Sequence, residues 1–271
     1  MLHIVRLESG SCGVDTRLVP LSLRFGFICV LCTFLALESL AAEKFSFDDW
    51  LVAPVRVHLL SSSNAPAVHT TLKENDIDRI MRKINGVWSQ AGISFWLESV
   101  VREESLPYST NMGAPDNLHG LLKLRPEQSK ATNMFHLYYI KRFSANGVYL
   151  GEAMFVKDTA SLREVPGGID EPLPRVSSHE IGHALTLQHC TNEHHLMFRG
   201  TTGWKLDSDE IEQARKAARK APWITPASTL AGMTAGKPPD EARRLFSQLA
   251  VIPLDDRSVR VARERLAGAG E

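Results

Sequence analysis

Apolar positions along the chain fall into short runs, broken by two stretches with helical spacing. Val55-Arg56-Val57-His58-Leu59-Leu60 reads as a first strand, closed by the polar loop 61–67. Thr71 and Glu74 carry a capping-box signature, and Ile77, Ile80, Met81, Ile84, Val87 and Trp88 then recur at helical spacing on one face. Gly92 is a natural stop, and 93–101 reads as a second strand. Strand, helix and strand in that order predict a right-handed crossover and a parallel pair. The stretch 102–130 is irregular. Residues 133–143, with Met134-Phe135-His136-Leu137-Tyr138-Tyr139-Ile140, form a third strand in which His136 is expected as a core histidine. Asn146-Gly147 is a two-residue hairpin signal, so 148–156 is expected to run antiparallel to that third strand.

After a Gly- and Pro-containing loop, a helix is expected from about Pro174, with Val176, Ile181, Ala184, Leu185 and Leu187 toward the core. Asp207 and Glu210 form a second capping signature ahead of a helix over 209–220. From Ala221 the composition turns to Pro, Ala and Thr. Two short amphipathic helices, 240–250 and 257–266, are expected in this tail.

The second helix carries the candidate chemistry: Ser178-His179-Glu180-Ile181-Gly182-His183, followed by His189. Histidines four residues apart share one helical face, so the imidazoles of His179 and His183 can take adjacent corners of a tetrahedral zinc shell. Glu180 can accept a proton from bound water. His189 reaches the same ion only if the chain turns after Leu185. His58 and His119 are expected to have no metal role, and His194 and His195 to be loop or pocket residues.

His179, Glu180, His183 and His189 together resemble the metzincin clan of zinc metallopeptidases, most closely its bacterial matrixin-like and reprolysin-like members. Met197 stands where the clan places its Met-turn methionine. The resemblance implies an α+β, zincin-type fold. This would be a twisted, mostly parallel sheet with an antiparallel edge strand, an active-site helix, and a small C-terminal subdomain with the Met-turn and a helix. It implies a catalytic domain over 42–220, with a linker and helical tail over 221–271. It also implies Zn²⁺ on His179, His183 and His189, Glu180 as general base toward zinc-bound water, and a peptide or protein substrate. Met197 would form an apolar floor beneath the metal without ligating it. Gly151-Glu152-Ala153 resembles the Gly-x-Ala of the edge strand that pairs with substrate, so Gly151 and Ala153 become candidate substrate contacts. Arg199 falls where the clan builds its specificity pocket.

The chain departs from the pattern at Thr186, where the clan has glycine. A β-branched residue there is either strained at positive φ or belongs to a helix that ends by another route. Three alternatives stand beside the peptidase reading. Glu210 could be the third ligand, as in zinc peptidases that use a glutamate from a downstream helix. The site could belong to a non-catalytic module that binds zinc and captures peptides. Or it could hydrolyse a non-peptide amide.

Charge and leader narrow the setting. Formal charge balances, 31 basic against 31 acidic residues, which argues against recognition of nucleic acid through bulk charge. Arg6, Arg17 and Arg24 precede the apolar run Phe25 to Leu37, and Ser39-Leu40-Ala41 supplies small residues. This predicts a signal peptide over 1–41, a secreted or periplasmic product, and no stable membrane anchor after cleavage, since the run is too short for the ~30 Å hydrocarbon core. Cys12, Cys29 and Cys32 fall in that leader, so the mature chain is expected to keep Cys190 alone.

Overall fold

The computed structural model describes residues 45–127, 130–165, 169–200 and 203–253. The expected leader and the expected helix over 257–266 lie outside the described residues. No described helix is long and apolar enough to cross a membrane.

The first strand, β1 (Leu51–Ser61), is longer than the sequence suggests and lies inside a sheet. It leads to helix α1 (Glu74–Trp88), whose apolar stripe of Ile77, Ile80, Met81, Ile84, Val87 and Trp88 is buried throughout. The N-terminal cap differs from expectation. Asp76 accepts a hydrogen bond from the Lys73 backbone N–H at 2.9 Å, whereas Thr71 binds Asp158. Gly92 leaves this segment at φ 60°, and β2 (Ile93–Glu104) follows, parallel to β1. β3 (Phe135–Ile140) lies parallel on the other side of β1.

The hairpin expected at Asn146-Gly147 is not formed. β4 (Gly147–Tyr149) pairs antiparallel with β5 (Met154–Lys157), and β5 pairs parallel with β3. The sheet order is β2-β1-β3-β5-β4, so the antiparallel strand is at the edge, one strand further from β3 than expected. The reversal falls at Leu150–Ala153, where Leu150 N–H donates to the Ala153 carbonyl at 2.9 Å and Gly151 takes φ 81°. Gly147 is not at positive φ; its missing side chain serves packing, as the site below shows.

Alternation along the strands divides the core between the two faces. Val55, Val57, Leu59, Leu137 and Tyr139 join α1, while Leu60, Tyr138, Ile140 and Phe155 join Leu121 and Leu124 in a second cluster. Helix α2 (Pro172–Ala184) packs into the first cluster through Val176 and Ile181. Helix α3 (Ser208–Lys220) starts at the expected capping box: Asp207 accepts from the Glu210 N–H at 2.8 Å, and Glu210 accepts from the Asp207 N–H at 2.9 Å. The chain then returns to the sheet. β6 (Thr225–Pro226) pairs with the start of β1, and α4 (Ala227–Gly232) and α5 (Pro239–Leu249) bury Leu230, Phe246 and Leu249 against Trp50 and Val52.

His136 is a core histidine in a buried hydrogen-bonded row. Its Nε2–H donates to the Ala131 carbonyl at 2.8 Å, which leaves Nδ1 to accept from His58 Nε2–H at 2.8 Å. His58 Nδ1 lies 2.7 Å from Glu103 Oε1. Burial pushes His136 down to about 4 and lowers His58. Unfolded imidazoles titrate near 6.5, so between about 4 and 6.5 the unfolded chain binds more protons than the folded one. Stability should therefore rise with pH across that window, by on the order of 1 kcal/mol per pH unit for one such group, and fall on acidification. Urea midpoints between pH 4 and 7, with an NMR titration of the His136 ring, check this; a ring titrating near 6.5 would contradict it.

Candidate metal centre

Helix α2 is positioned from both ends. Pro172 stands in its first turn, and the preceding Glu171 is held by Arg79 and by Lys83 (2.9 Å) from α1. Midway, Tyr139 and Ser177 exchange a hydroxyl hydrogen bond of 2.8 Å between β3 and α2. The helix is therefore a fixed frame for the side chains that follow.

Its C-terminal end decides the site. Leu187 N–H donates to the Gly182 carbonyl (2.9 Å) and Thr186 N–H to the His183 carbonyl (3.0 Å). This is the Schellman pattern, in which the residue after the cap adopts the left-handed region. That residue is Thr186, at φ 69°, and it has no non-glycine counterpart at positive φ among the described residues. The strained alternative is thus the one adopted. Gln213 Nε2 donates to the Thr186 carbonyl at 2.6 Å and helps hold the turn. Glycine should relieve about 1–3 kcal/mol of strain while costing roughly 0.5–1 kcal/mol in unfolded-state entropy. Thr186→Gly is accordingly expected to stabilise the chain by about 1 kcal/mol, read as a higher urea midpoint; a lower midpoint would mean that the threonine methyl and hydroxyl contribute more than the strain.

This turn brings His189 back to the helix face. Its Nε2 lies 3.3 Å from His179 Nε2 and 3.2 Å from His183 Nε2. Backbone carbonyls orient the other two rings. His179 Nδ1–H donates to Leu196 O at 2.7 Å and His183 Nδ1–H to Leu187 O at 2.9 Å. Both Nε2 atoms therefore carry lone pairs that point into the group, the arrangement in which outer hydrogen bonds fix imidazole ligands. Burial pushes His179 down to about 4, and burial with the charges of His183 and Arg199 lowers His189, so neutral, ligating forms are favoured.

The donor set fits zinc. Ligand atoms of a tetrahedral shell with Zn–N of about 2.0–2.1 Å lie about 3.3 Å apart. Without a cation, converging lone pairs at that spacing would repel. His179, His183 and His189 can hold a zinc ion.

Two glycines make room around the group. A Cβ on Gly182 would collide with the thioether of Met197, which is fully buried beneath the helix. Met197 thus packs against α2 at Gly182. A Cβ on Gly147 would lie 2.5 Å from Glu180 Oε1 and 2.6 Å from Val176 Cγ1, so β4 is pressed directly onto α2. The Tyr149 backbone N–H donates to the Glu180 carboxylate. Burial outweighs this bond and pushes Glu180 up to about 8.

Glu210 is not part of this group. It lies with Cys190 and His195 in a second cluster of donors, within 4.8 Å of one another, where His195 Nδ1 is 3.4 Å from Glu210 Oε2. Of the candidate substrate residues, Arg199 is exposed and close enough to act electrostatically on His189. Gly151 and Ala153 lie in the β4–β5 turn, not on an edge strand. Gly151 is exposed there and Ala153 is buried in the second core cluster. Both border a cavity of about 400 Å³ that also reaches Tyr149 and Ala184. The sequence reading missed the clearance role of Gly182, although a glycine inside a helix is itself a signal of close packing. It had no means of finding the Leu187 and Leu196 carbonyls.

Compared with protein-family models and with curated proteins, the chain matches none. Among solved structures it is similar to archaemetzincin from Methanopyrus kandleri, at 15% identity and a TM-score of 0.41, over 62% of this chain and 96% of the other. A likeness that distant carries no argument about activity.

Proposed function

We propose that this chain is a zinc-dependent endopeptidase of metzincin type, exported by a leader over 1–41. The observation that carries the reading is the convergence of three histidine Nε2 atoms at ligand spacing, with the buried Glu180 next to His179 on the same helix. Zinc held by His179, His183 and His189 supplies a Lewis acid that polarises a carbonyl and acidifies water.

The residues of the chain do the rest. Glu180 takes a proton from the attacking water and returns it to the leaving amine. Burial alone would keep this carboxyl protonated, and the charge of a bound zinc ion would favour the carboxylate that the base step needs. The Tyr149 N–H fixes the carboxylate's orientation. β4 is the terminal strand of the sheet, and a strand edge is the surface beside which an extended peptide pairs, although one of its N–H groups, that of Tyr149, is already held by Glu180. That edge favours a peptide over another amide, and a buried general base has no purpose in a module that only binds.

The test is cleavage of a mixed peptide library by residues 42–271 loaded with zinc. Cuts that disappear with a chelator and return with zinc support the reading. A folded, zinc-loaded protein that cuts nothing overturns it. N-terminal sequencing of the exported product, expected to begin at Ala42, tests the leader.

A further inference from the structure

We infer that the cavity beside the metal centre is an acid-binding subsite, in which Arg125 receives a carboxylate side chain of the peptide substrate in exchange for Glu152. This rests on the peptidase reading above and names the substrate class it would favour.

The position of the cavity comes first. It is walled by Tyr149, whose backbone N–H holds Glu180, and by Ala184, which directly follows His183. A peptide laid along β4 from Gly147 to Tyr149 continues onto the Gly151–Glu152 lip of this cavity. With about 3.3 Å per extended residue, a side chain a few residues from the bond being cut arrives at its mouth.

Charge comes second. Arg125, Lys130 and Glu152 line the cavity, two cations against one carboxylate, and His136 beside them is held neutral by burial. The Arg125 side chain is 4% exposed and is fixed in place: Nε donates to the Leu122 carbonyl at 3.2 Å, and Nη2 pairs with Glu152 Oε1 at 2.7 Å. A guanidinium this buried needs an anion, because removing a charge from water without a partner is costly.

The third observation concerns the partner. The Glu152 side chain is 62% exposed and stands at the tip of the β4–β5 turn, next to Gly151 at φ 81°. Lys130 shows the same asymmetry, paired at 2.6 Å with Glu127, which is 83% exposed. Arg125 is the built part of the cavity, and its acid comes from the solvent side. A substrate carboxylate can take the planar fork of Arg125 while Glu152 returns to water, so the pairing is exchanged and the buried charge is never left alone. Glu152 is then an internal competitor that a neutral peptide does not displace.

The experiment uses zinc-loaded Glu180→Gln, which binds without cutting, and a pool of random octapeptides. Peptides retained by the protein are sequenced. The expected result is enrichment of Glu and Asp at one position by roughly fivefold or more over the input pool, the scale of one charge-assisted pair. Adding Arg125→Gln should abolish that enrichment, and adding Glu152→Gln should increase it. Retained peptides without acidic enrichment, or enrichment that survives Arg125→Gln, overturn the subsite and leave the peptidase reading standing. If the Arg125 variant does not fold, the Glu152 variant decides, since unchanged enrichment there also overturns the exchange. Retention of no peptide at all overturns both readings.

Discussion

Glu180→Gln is expected to keep its zinc and to lose about 10²–10⁴-fold in peptide hydrolysis, the range associated with a positioned general base. The substitution is nearly isosteric. The amide oxygen can still accept from the Tyr149 N–H, and the contact with Gly147 keeps its shape. Removing an ionisable group that burial already pushes up to about 8 takes no favourable charge pair from the fold. What the amide lacks is a site for the proton of the attacking water. Zinc should be unaffected, because carbonyls of Leu196 and Leu187 orient the His179 and His183 rings, and Glu180 does not. Turnover and metal content measured on the same sample separate the two effects. Undiminished turnover would refute the assignment of Glu180, and loss of metal along with activity would make it a structural residue of the centre.

His189→Ala is expected to weaken zinc binding by more than the about 10–100-fold that loss of an outer hydrogen-bond partner costs, because a ligand itself is removed. The remaining pair on α2 stays oriented but supplies only two of three imidazoles. Competition with a chromogenic chelator gives the affinity directly. Glu210→Gln is the matched control. Its carboxylate sits with Cys190 and His195 and accepts from the Asp207 N–H, so the three-histidine centre should not register the change. If His189→Ala left the affinity unchanged, the measured zinc would belong to the Cys190, His195 and Glu210 group instead.

The elements most legible in the sequence were those whose local pattern and tertiary fate agree. The α1 stripe is one such case: the six apolar positions read from helical spacing are the six that are buried. The Asp207–Glu210 capping box is another, formed as written because a cap involves only neighbouring residues. The His179–His183 pair belongs here too, since four residues on a helix always place two side chains on one face.

Asn146-Gly147 misled because two demands on glycine look the same in a sequence. The local demand is for positive φ in a tight turn; the tertiary demand is for an absent Cβ. Gly147 meets the second, against Glu180 and Val176, and the turn moves to Gly151. The edge strand consequently pairs with β5, and Gly151 and Ala153 leave the strand for a turn.

The sequence by itself determined the ligand types, their spacing on α2 and the adjacency of Glu180, because these are local properties of a helix. Whether His189 or Glu210 lies with the histidine pair of α2 was decided only by the tertiary structure. It depends on a helix end at which Thr186 accepts a left-handed backbone, on a loop that returns Leu196 to His179, and on an α3 that places Glu210 beside Cys190. Each of these is a contact between segments distant in the chain or a strained conformation held by such contacts, and neither residue spacing nor propensity encodes them.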